Sequence, residues 1–263
     1  MFDNIFDHID GYLPNFLEML IPRASTYAKH IDGLFDIITI LVGFWFFLTL
    51  GYFFYLVFRY RARDGHKAEY VTGETHKQKL AVEVPHYLIL VCDVVIIVFT
   101  FVVWHKVKIH VPEEIDEDVR VIAQQWAWTF EHAGADGLIE TSEDNIIRVN
   151  ELVVEEGKTY RYLLESKDVM HSFSVPVFRL KQDAVPGRVI QGWFEPNATG
   201  EWDIQCAEMC GVAHGIMGAR IKIKNAEDFD AWLADNSPEG SKTEMLATLS
   251  TEDSQVKEDQ NNG

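Results

Sequence analysis

Cysteine is scarce in this chain: its 263 residues contain only three, at positions 92, 206 and 210. Three cysteines are too few for a disulfide scaffold, which excludes the small disulfide-rich class of secreted proteins. No Cys-x-x-Cys-His sequence occurs, so the chain carries no c-type haem of its own. Internal repeats and a nucleotide-binding glycine motif are also absent. The closely spaced pair Cys206 and Cys210 therefore becomes the most informative feature of the cysteine content.

Basic residues are also few, since 23 Lys and Arg stand against 41 Asp and Glu and give a formal net charge of -18. So acidic a chain is not expected to bind nucleic acid, because the phosphate backbone carries charge of the same sign. A basic protein partner fits this charge, and its encounter with the chain should weaken with salt. The alternative is an acidic surface that serves solubility alone.

Two long apolar runs occupy residues 34–58 and 80–104. Each has 25 residues, about 37 Å of helix, which is enough to cross a hydrocarbon core of about 30 Å. The linker 59–79 is rich in Lys and Arg and is expected to stay on the cytoplasmic side. Residues 34–106 are thus predicted to form a transmembrane helical hairpin, and everything after Lys106 is expected to lie outside, in a periplasm or its equivalent.

The two ends of the chain differ from this hairpin in composition. Residues 1–33 begin with apolar side chains at helical spacing and with acids at Asp3, Asp7 and Asp10, which argue against a signal peptide. We predict an amphipathic segment that lies on the membrane or on a partner subunit. Residues 234–263 are dominated by polar and acidic residues and are predicted to be a disordered tail.

From about residue 107 the apolar pattern changes to a period of two, with glycine and proline between the segments. The pattern predicts strands over 120–130, 146–149, 159–165, 171–177, 189–194, 200–205 and 219–224, followed by a short helix over 225–233. Several short strands with turns between them favour a Greek-key sandwich or barrel for residues 107–233. The fold class is therefore α+β: a membrane hairpin followed by a β-barrel domain.

The segment 206–217 places four potential metal ligands within twelve residues: Cys206, Cys210, His214 and Met217. Thiolate, imidazole and thioether together suit copper, whereas zinc has little use for a thioether. Two thiolates this close can bridge two copper ions, and one further imidazole must come from elsewhere in the chain. The alternative is a disulfide or a reduced cysteine pair in a packed loop, which leaves the histidine and the methionine unexplained.

This segment resembles the copper A loop of subunit II of haem-copper respiratory oxidases. The resemblance extends to 125–128, 168–176 and 181–188, and it covers roughly residues 30 to 233. It implies a cupredoxin-like domain in which Cys206 and Cys210 bridge two coppers. It further implies that each copper is bound by one histidine, that Met217 is a weak ligand to one copper, and that the backbone carbonyl of Glu208 binds the other. The two histidines are His171 and His214.

The same resemblance assigns roles around the copper site. It implies that the Glu208 carboxylate reaches a magnesium ion at the boundary with subunit I, and that electrons enter at Trp126. Asp183 and Arg188 would face subunit I near the haem propionates. The alternatives are a surface carboxylate at Glu208, a core tryptophan at position 126, and solvated charges beside a turn closed by Pro186 and Gly187.

The second apolar run contains three unusual residues. Glu83 lies near its cytoplasmic end, where the resemblance implies the mouth of a proton path and the alternative is an interfacial acid. Asp93 lies near mid-membrane and is expected to face protein, with a hydrogen-bond partner on a neighbouring subunit or on the first span, where Thr49 lies at a similar depth. Cys92 is expected to be a small buried hydrophobe.

The resemblance therefore implies the copper-bearing subunit of a cytochrome c oxidase in a bacterial inner membrane or its equivalent. The chain would accept electrons from cytochrome c, or from another c-type haem donor, and pass them to the haem of subunit I, where oxygen reduction is coupled to proton translocation. The principal alternative is the copper A subunit of a nitric oxide reductase. A quinol oxidase subunit would lack the copper ligands, and a structural membrane subunit with a disulfide loop would bind no copper.

Overall fold

The computed structural model describes residues 15–65, 67, 71–133, 139 and 145–237. The chain divides into two compact units. The first comprises the chain up to Leu20 together with Lys29–Ile109, and the second comprises Ile21–Ala28 together with the chain from His110 onward. The predicted tail beyond Ser237 lies outside the described residues.

Two apolar helices make up most of the first unit. Helix α1 spans Ala28–Arg59 and helix α2 spans His76–Trp104, with a π-helical turn at His105–Ile109. Both are long and apolar enough to cross a membrane. Each begins before its predicted span, because hydrophobicity marks the lipid-embedded part and not the helix start. Helix α2 begins at a capping box, in which Thr75 accepts the N–H of Gln78 and Gln78 accepts the N–H of Thr75.

The amphipathic prediction for the N-terminus falls largely on residues 1–14, outside the described part of the chain. Residues 16–20 form a turn. The carboxylate of Asp36, buried on α1, accepts the backbone N–H of Asn15 at 2.8 Å and that of Phe16 at 3.0 Å. Because a buried carboxylate needs partners, this acid near the start of the first span fixes the segment before the helix.

The second unit is a two-sheet β structure. In its described residues the strands are β1 Glu117–Gln124, β2 Ala127–His132, β3 Ile146–Val149, β4 Glu151–Glu155, β5 Tyr160–Ser166, β6 His171–Val175, β7 Leu180–Ala184, β8 Ile190–Phe194, β9 Gly200–Cys206 and β10 Gly218–Lys224. One sheet has the order β3-β2-β1-β5-β8 and the other β4-β10-β9-β6-β7. The predicted combination of two apolar helices and a cupredoxin-like β domain is confirmed.

The strand predictions were wrong in three places. The single strand predicted over 120–130 is a hairpin, in which β1 and β2 pair from Gln124↔Ala127 and a turn at Gln125–Trp126 separates them. Strand β4 was not predicted, and neither was β7, where only a turn after residue 184 was expected. The C-terminal helix, α3, spans Ala226–Asn236 and ends three residues later than predicted. Short edge strands such as β7 carry too few alternating residues to be recognised from sequence.

The core of the β domain is aromatic. The ring of Phe173 on β6 lies 5.6 Å from Trp128, 6.3 Å from Phe130 and 6.1 Å from Tyr162, measured between centroids. All four side chains are buried. Phe173 comes from one sheet and the other three rings from the opposite sheet, so Phe173 joins the two layers. Phe173 is also the register partner of Cys206 in the neighbouring strand.

A short strap, residues 21–28, adds to the β domain although it precedes the first helix in sequence. Its backbone N–H groups at Ala24 and Thr26 donate to Val177 and Glu195 at 2.9 and 3.1 Å, and the Ser25 hydroxyl donates to the Phe178 carbonyl at 3.1 Å. These bonds pair atoms more than 150 residues apart. No sequence pattern in this segment predicted the contact.

The structure corrects the prediction for Cys92 and removes one of the two partners predicted for Asp93. Cys92 is half-buried and accepts the indole N–H of Trp45 at 3.5 Å, so it is a contact between α1 and α2 and not simply a buried hydrophobe. Asp93 is exposed and has no hydrogen-bond or ion-pair partner among the described residues, and Thr49 is not its partner.

Candidate metal centre

The ends of three strands form the framework of the centre. His171 is the first residue of β6, Cys206 is the last residue of β9, and the loop after Cys206 returns to β10 at Gly218. The loop is held at both ends, because Cys206 N–H donates to the Met217 carbonyl at 3.2 Å and Ala207 N–H donates to Ser172 at 3.0 Å. Backbone pairing of the sheet therefore places a histidine from one strand beside cysteines from another.

The two sulfur atoms form the middle of the cluster. Cys206 Sγ and Cys210 Sγ are 3.7 Å apart, far longer than a disulfide bond of about 2.05 Å, and both thiols are free. His171 Nδ1 lies 3.9 Å from Cys206 Sγ. The ligand atoms of His171, Cys206 and Cys210 all lie within 4.8 Å of one another. The reduced-pair geometry excludes the disulfide alternative for this structure.

The remaining potential ligands surround the same sulfur pair. His214 Nδ1 is 3.6 Å from Cys210 Sγ, and Met217 Sδ is 3.7 Å from the same sulfur. On the other side, the Glu208 carbonyl oxygen is 3.3 Å from Cys206 Sγ. All six residues named from the sequence as ligands therefore lie in one cluster, in which each has a potential ligand atom within 3.3 to 3.9 Å of one of the two sulfurs.

Most of the cluster is buried, whereas His214 and Glu208 are half-buried. His171 is fully buried, and Met217, Cys210 and Cys206 expose only 2, 3 and 9 % of their surface. Burial, together with the neighbouring Cys206 thiol, raises the pKa of Cys210 to about 11. Cys210 accordingly holds its proton at neutral pH until a cation replaces it, and metal binding must release that proton.

The distances fit the coordination of metal by these sulfur and nitrogen atoms. A tetrahedral metal with bonds of about 2.3 Å to sulfur and about 2.0 Å to nitrogen separates two sulfur ligands by about 3.8 Å and a sulfur from a nitrogen by about 3.5 Å. The observed S–S separation of 3.7 Å and S–N separations of 3.6 and 3.9 Å lie close to these values. The soft donors favour copper.

Asp168 orients the buried histidine, a role that the sequence did not suggest. Its Oδ1 lies 2.8 Å from His171 Nε2, and its Oδ2 accepts the backbone N–H of Gln125 at 2.6 Å. Burial alone would raise the pKa of Asp168, but the hydrogen bonds from His171 and from backbone N–H groups outweigh it and lower that pKa. The ionised carboxylate fixes the ring with Nδ1 directed at the sulfur pair.

The turn that connects β1 and β2, at Gln125 and Trp126, lies against the loop that follows Cys206. Gln125 Nε2 donates to the Cys210 carbonyl at 2.8 Å. Trp126 exposes 40 % of its surface, whereas Trp128 is fully buried. Gly211 has φ +127°, and a Cβ there would lie 3.2 Å from the Trp126 indole, so the glycine lets the loop approach the ring closely. The exposed tryptophan thus contacts the residue that follows Cys210.

The other residues singled out from the sequence lie outside this cluster. The Glu208 side chain is half-buried, while its carbonyl faces the sulfur. Asp183 lies on β7 and contacts Lys181 at 3.2 Å, and Arg188 is exposed beyond the Pro186–Gly187 turn. Glu83 is exposed on α2, in the first unit.

Known proteins with similar sequences identify the family. The family model described as "Cytochrome C oxidase subunit II, periplasmic domain" matches residues 118–224. The "Alternative cytochrome c oxidase subunit 2" of Bradyrhizobium diazoefficiens is 33 % identical over 233 residues, which cover 81 % of this chain and 82 % of the relative. The chain belongs to the cytochrome c oxidase subunit II family. The match to this relative extends well beyond the β domain that the family model covers.

Further subunit II proteins match shorter segments. The "Probable cytochrome c oxidase subunit 2" of Rickettsia prowazekii is 35 % identical over 133 residues, 46 % of this chain and 42 % of the relative. The solved periplasmic domain of cytochrome oxidase subunit II of Bradyrhizobium japonicum is 28 % identical, with a TM-score of 0.43, and covers 48 % of this chain and 96 % of that domain. The two apolar helices and the periplasmic-domain match together indicate that this subunit II is anchored in a membrane.

Proposed function

We propose that this subunit accepts electrons from cytochrome c at a dinuclear copper A centre and delivers them to the haem of subunit I, where oxygen reduction is coupled to proton translocation. The observation that carries the proposal is the pair of free thiols 3.7 Å apart, each within 3.6 to 3.9 Å of its own imidazole nitrogen. The oxidase names of the relatives favour this function over that of a nitric oxide reductase subunit.

Metal analysis tests the proposal directly. The purified oxidase is expected to contain two coppers for each copy of this chain, in addition to metal held by other subunits. Its electron paramagnetic resonance spectrum is expected to show one unpaired electron shared by two copper nuclei, because the thiolates of Cys206 and Cys210 would couple the two ions. A single copper per chain, or a spectrum from one copper nucleus alone, would contradict the dinuclear assignment.

The chain's own residues would keep this centre rigid and largely buried. Sheet pairing fixes His171 and Cys206, Asp168 fixes the imidazole ring, and the buried Met217 closes the cluster from the β10 side. A site whose ligands are held before electron transfer needs little rearrangement when its charge changes. The family resemblance adds a second role for Glu208, whose carboxylate would bind a magnesium ion with other oxygen ligands at the subunit I boundary.

The surface around the centre suits both of its expected partners. Trp126 is half-exposed beside Gly211, which offers a short route from a docked donor to Cys210. The acidic balance of the chain favours a basic donor such as cytochrome c. Asp183 and Arg188 would face subunit I. The basic linker 59–79 would lie in the cytoplasm and the copper domain on the outer face of the membrane.

Replacing Trp126 with leucine is expected to slow electron transfer from cytochrome c while the copper content stays unchanged. The indole ring lies beside Gly211 of the loop, whereas the proposed ligands are held by other residues. Stopped-flow reduction of the centre by cytochrome c measures the effect, and Trp126→Phe is the matched control that keeps an aromatic ring. Equal rates for Trp126→Leu and the unaltered oxidase would show that electrons enter elsewhere.

Glu83 is proposed to load protons from the cytoplasmic side, since it lies exposed near the cytoplasmic end of α2. Glu83→Gln is expected to slow steady-state oxygen consumption while reduction of the copper centre by cytochrome c stays fast. Glu74→Gln, in the exposed segment before α2, is the matched control. Normal turnover of the Glu83→Gln oxidase would show that Glu83 is only an interfacial acid with no part in proton loading.

A further inference from the structure

The strongly polar side chains of helix α2 beyond Pro85 lie on one stripe. His86, Asp93 and Thr100 follow one another at intervals of seven residues. Positions seven apart on an α-helix differ by only about 20° around the axis, so the three side chains share a sector of about 40°. All three are exposed in this chain. Lys79 continues the stripe by one further interval toward the start of the helix.

This polar stripe, His86–Asp93–Thr100, does not face helix α1. The less exposed residues of α2 at the same depth are Cys92, Ile96 and Phe99, and Cys92 accepts the Trp45 N–H from α1. At about 100° per residue, Asp93 lies roughly a quarter of a turn away from that face. Helix α1 therefore covers one side of α2 and leaves the polar stripe open.

A carboxylic acid in this position is costly unless another group covers it. Asp93 is near the middle of α2, where hydrocarbon offers no hydrogen-bond partner. The described residues of this chain offer none either: the Thr39 hydroxyl donates to the Phe35 carbonyl of its own helix, and Thr49 does not reach Asp93. Polar residues inside membrane helices almost always face protein or a water-filled cavity. A hydrogen-bond partner on another polypeptide would satisfy this acid.

We propose that the polar stripe is the surface on which α2 packs against a transmembrane helix of a neighbouring oxidase subunit. That helix carries a hydrogen-bond donor at the depth of Asp93, in the form of a hydroxyl, amide or basic side chain. A second copy of this chain is a poor occupant, because a two-fold axis along the membrane normal would place Asp93 against its own equivalent. Lipid is a poorer occupant still, since it offers no donor.

The stripe is separate from the other acid of this helix. Glu83 lies about 80° around the axis from Asp93, on a different side of α2. It also lies ten residues nearer the cytoplasmic end. A proton path that begins at Glu83 and a helix contact centred on Asp93 can therefore occupy two sides of the same helix.

Site-specific photocrosslinking in the assembled oxidase tests the stripe without altering Asp93. A photoreactive amino acid at Ile97, which follows Asp93 by four residues and exposes 65 % of its surface, is expected to crosslink to another oxidase subunit. The control position is Val91, which exposes 61 % and lies on the opposite flank of the helix. Crosslinks at Ile97 to lipid alone, or to a second copy of this chain, would overturn the proposal.

Substitution of Asp93 tests the hydrogen bond itself. Asp93→Leu is expected to lower the yield of purified oxidase containing this chain at least about tenfold, whereas Asp93→Asn, which keeps a polar group, assembles normally. Leucine makes α2 more apolar, so membrane insertion is not impaired, and the amount of chain in the membrane fraction verifies this. Val91→Leu is the control. The copper content of whatever assembles is expected to stay unchanged, and normal assembly of Asp93→Leu would refute the proposal.

Discussion

Replacing Cys210 with serine is expected to abolish the copper centre and the electron transfer that depends on it. The Cys210 sulfur lies 3.7 Å from Cys206 Sγ, 3.6 Å from His214 Nδ1 and 3.7 Å from Met217 Sδ. A serine oxygen is a harder ligand than a cysteine sulfur, and its hydroxyl is a far weaker acid than a thiol. Serine therefore cannot bridge two soft metal ions. The loss of cytochrome c oxidation should exceed the roughly 100-fold that removal of an outer hydrogen-bond partner costs.

The matched control for this change is Cys92→Ser. Cys92 is half-buried on α2 and accepts the Trp45 N–H, a bond that a serine hydroxyl also accepts. Copper content and turnover of this variant should equal those of the unaltered oxidase. Metal content and oxygen consumption with cytochrome c are measured for both variants. A Cys210→Ser oxidase that kept its copper and its rate would refute the proposed ligand set.

Replacing Phe173 with alanine is expected to cost the β domain about 3–5 kcal/mol in free energy of unfolding. The ring is fully buried and lies 5.6 to 6.3 Å from three other aromatic rings, all of which come from the opposite sheet. Its removal leaves a cavity between the layers that rigid neighbours cannot close. Since Phe173 pairs with Cys206, the loss should also loosen the loop that carries the proposed copper ligands.

Thermal and denaturant unfolding of the purified chain, followed by the fluorescence of its tryptophans, measures this effect. Ile147→Ala on β3 is the control, because that side chain is 58 % exposed and its loss should change stability by less than about 0.5 kcal/mol. A change below about 1 kcal/mol in Phe173→Ala would show that the two sheets do not depend on this ring.

The local features of this protein could be predicted from sequence because their physical causes are local. A membrane span requires an uninterrupted apolar run, so both helices were recognised although their polar first turns were not. The copper loop carries two thiols, an imidazole and a thioether within twelve residues, and that donor set by itself indicates copper. Family resemblance then supplied His171, which spacing alone could not, because it lies 35 residues before Cys206.

The tertiary structure decided whatever depends on pairing between distant segments. Register between β6 and β9 places His171 beside Cys206, and the β1–β2 turn brings Gln125 to both Asp168 and Cys210. The strap 21–28 reaches partners more than 150 residues away, and the side of α2 that faces α1 leaves Asp93 open. Such contacts follow from how sheets and helices pack, which the order of residues along one strand or one helix does not encode.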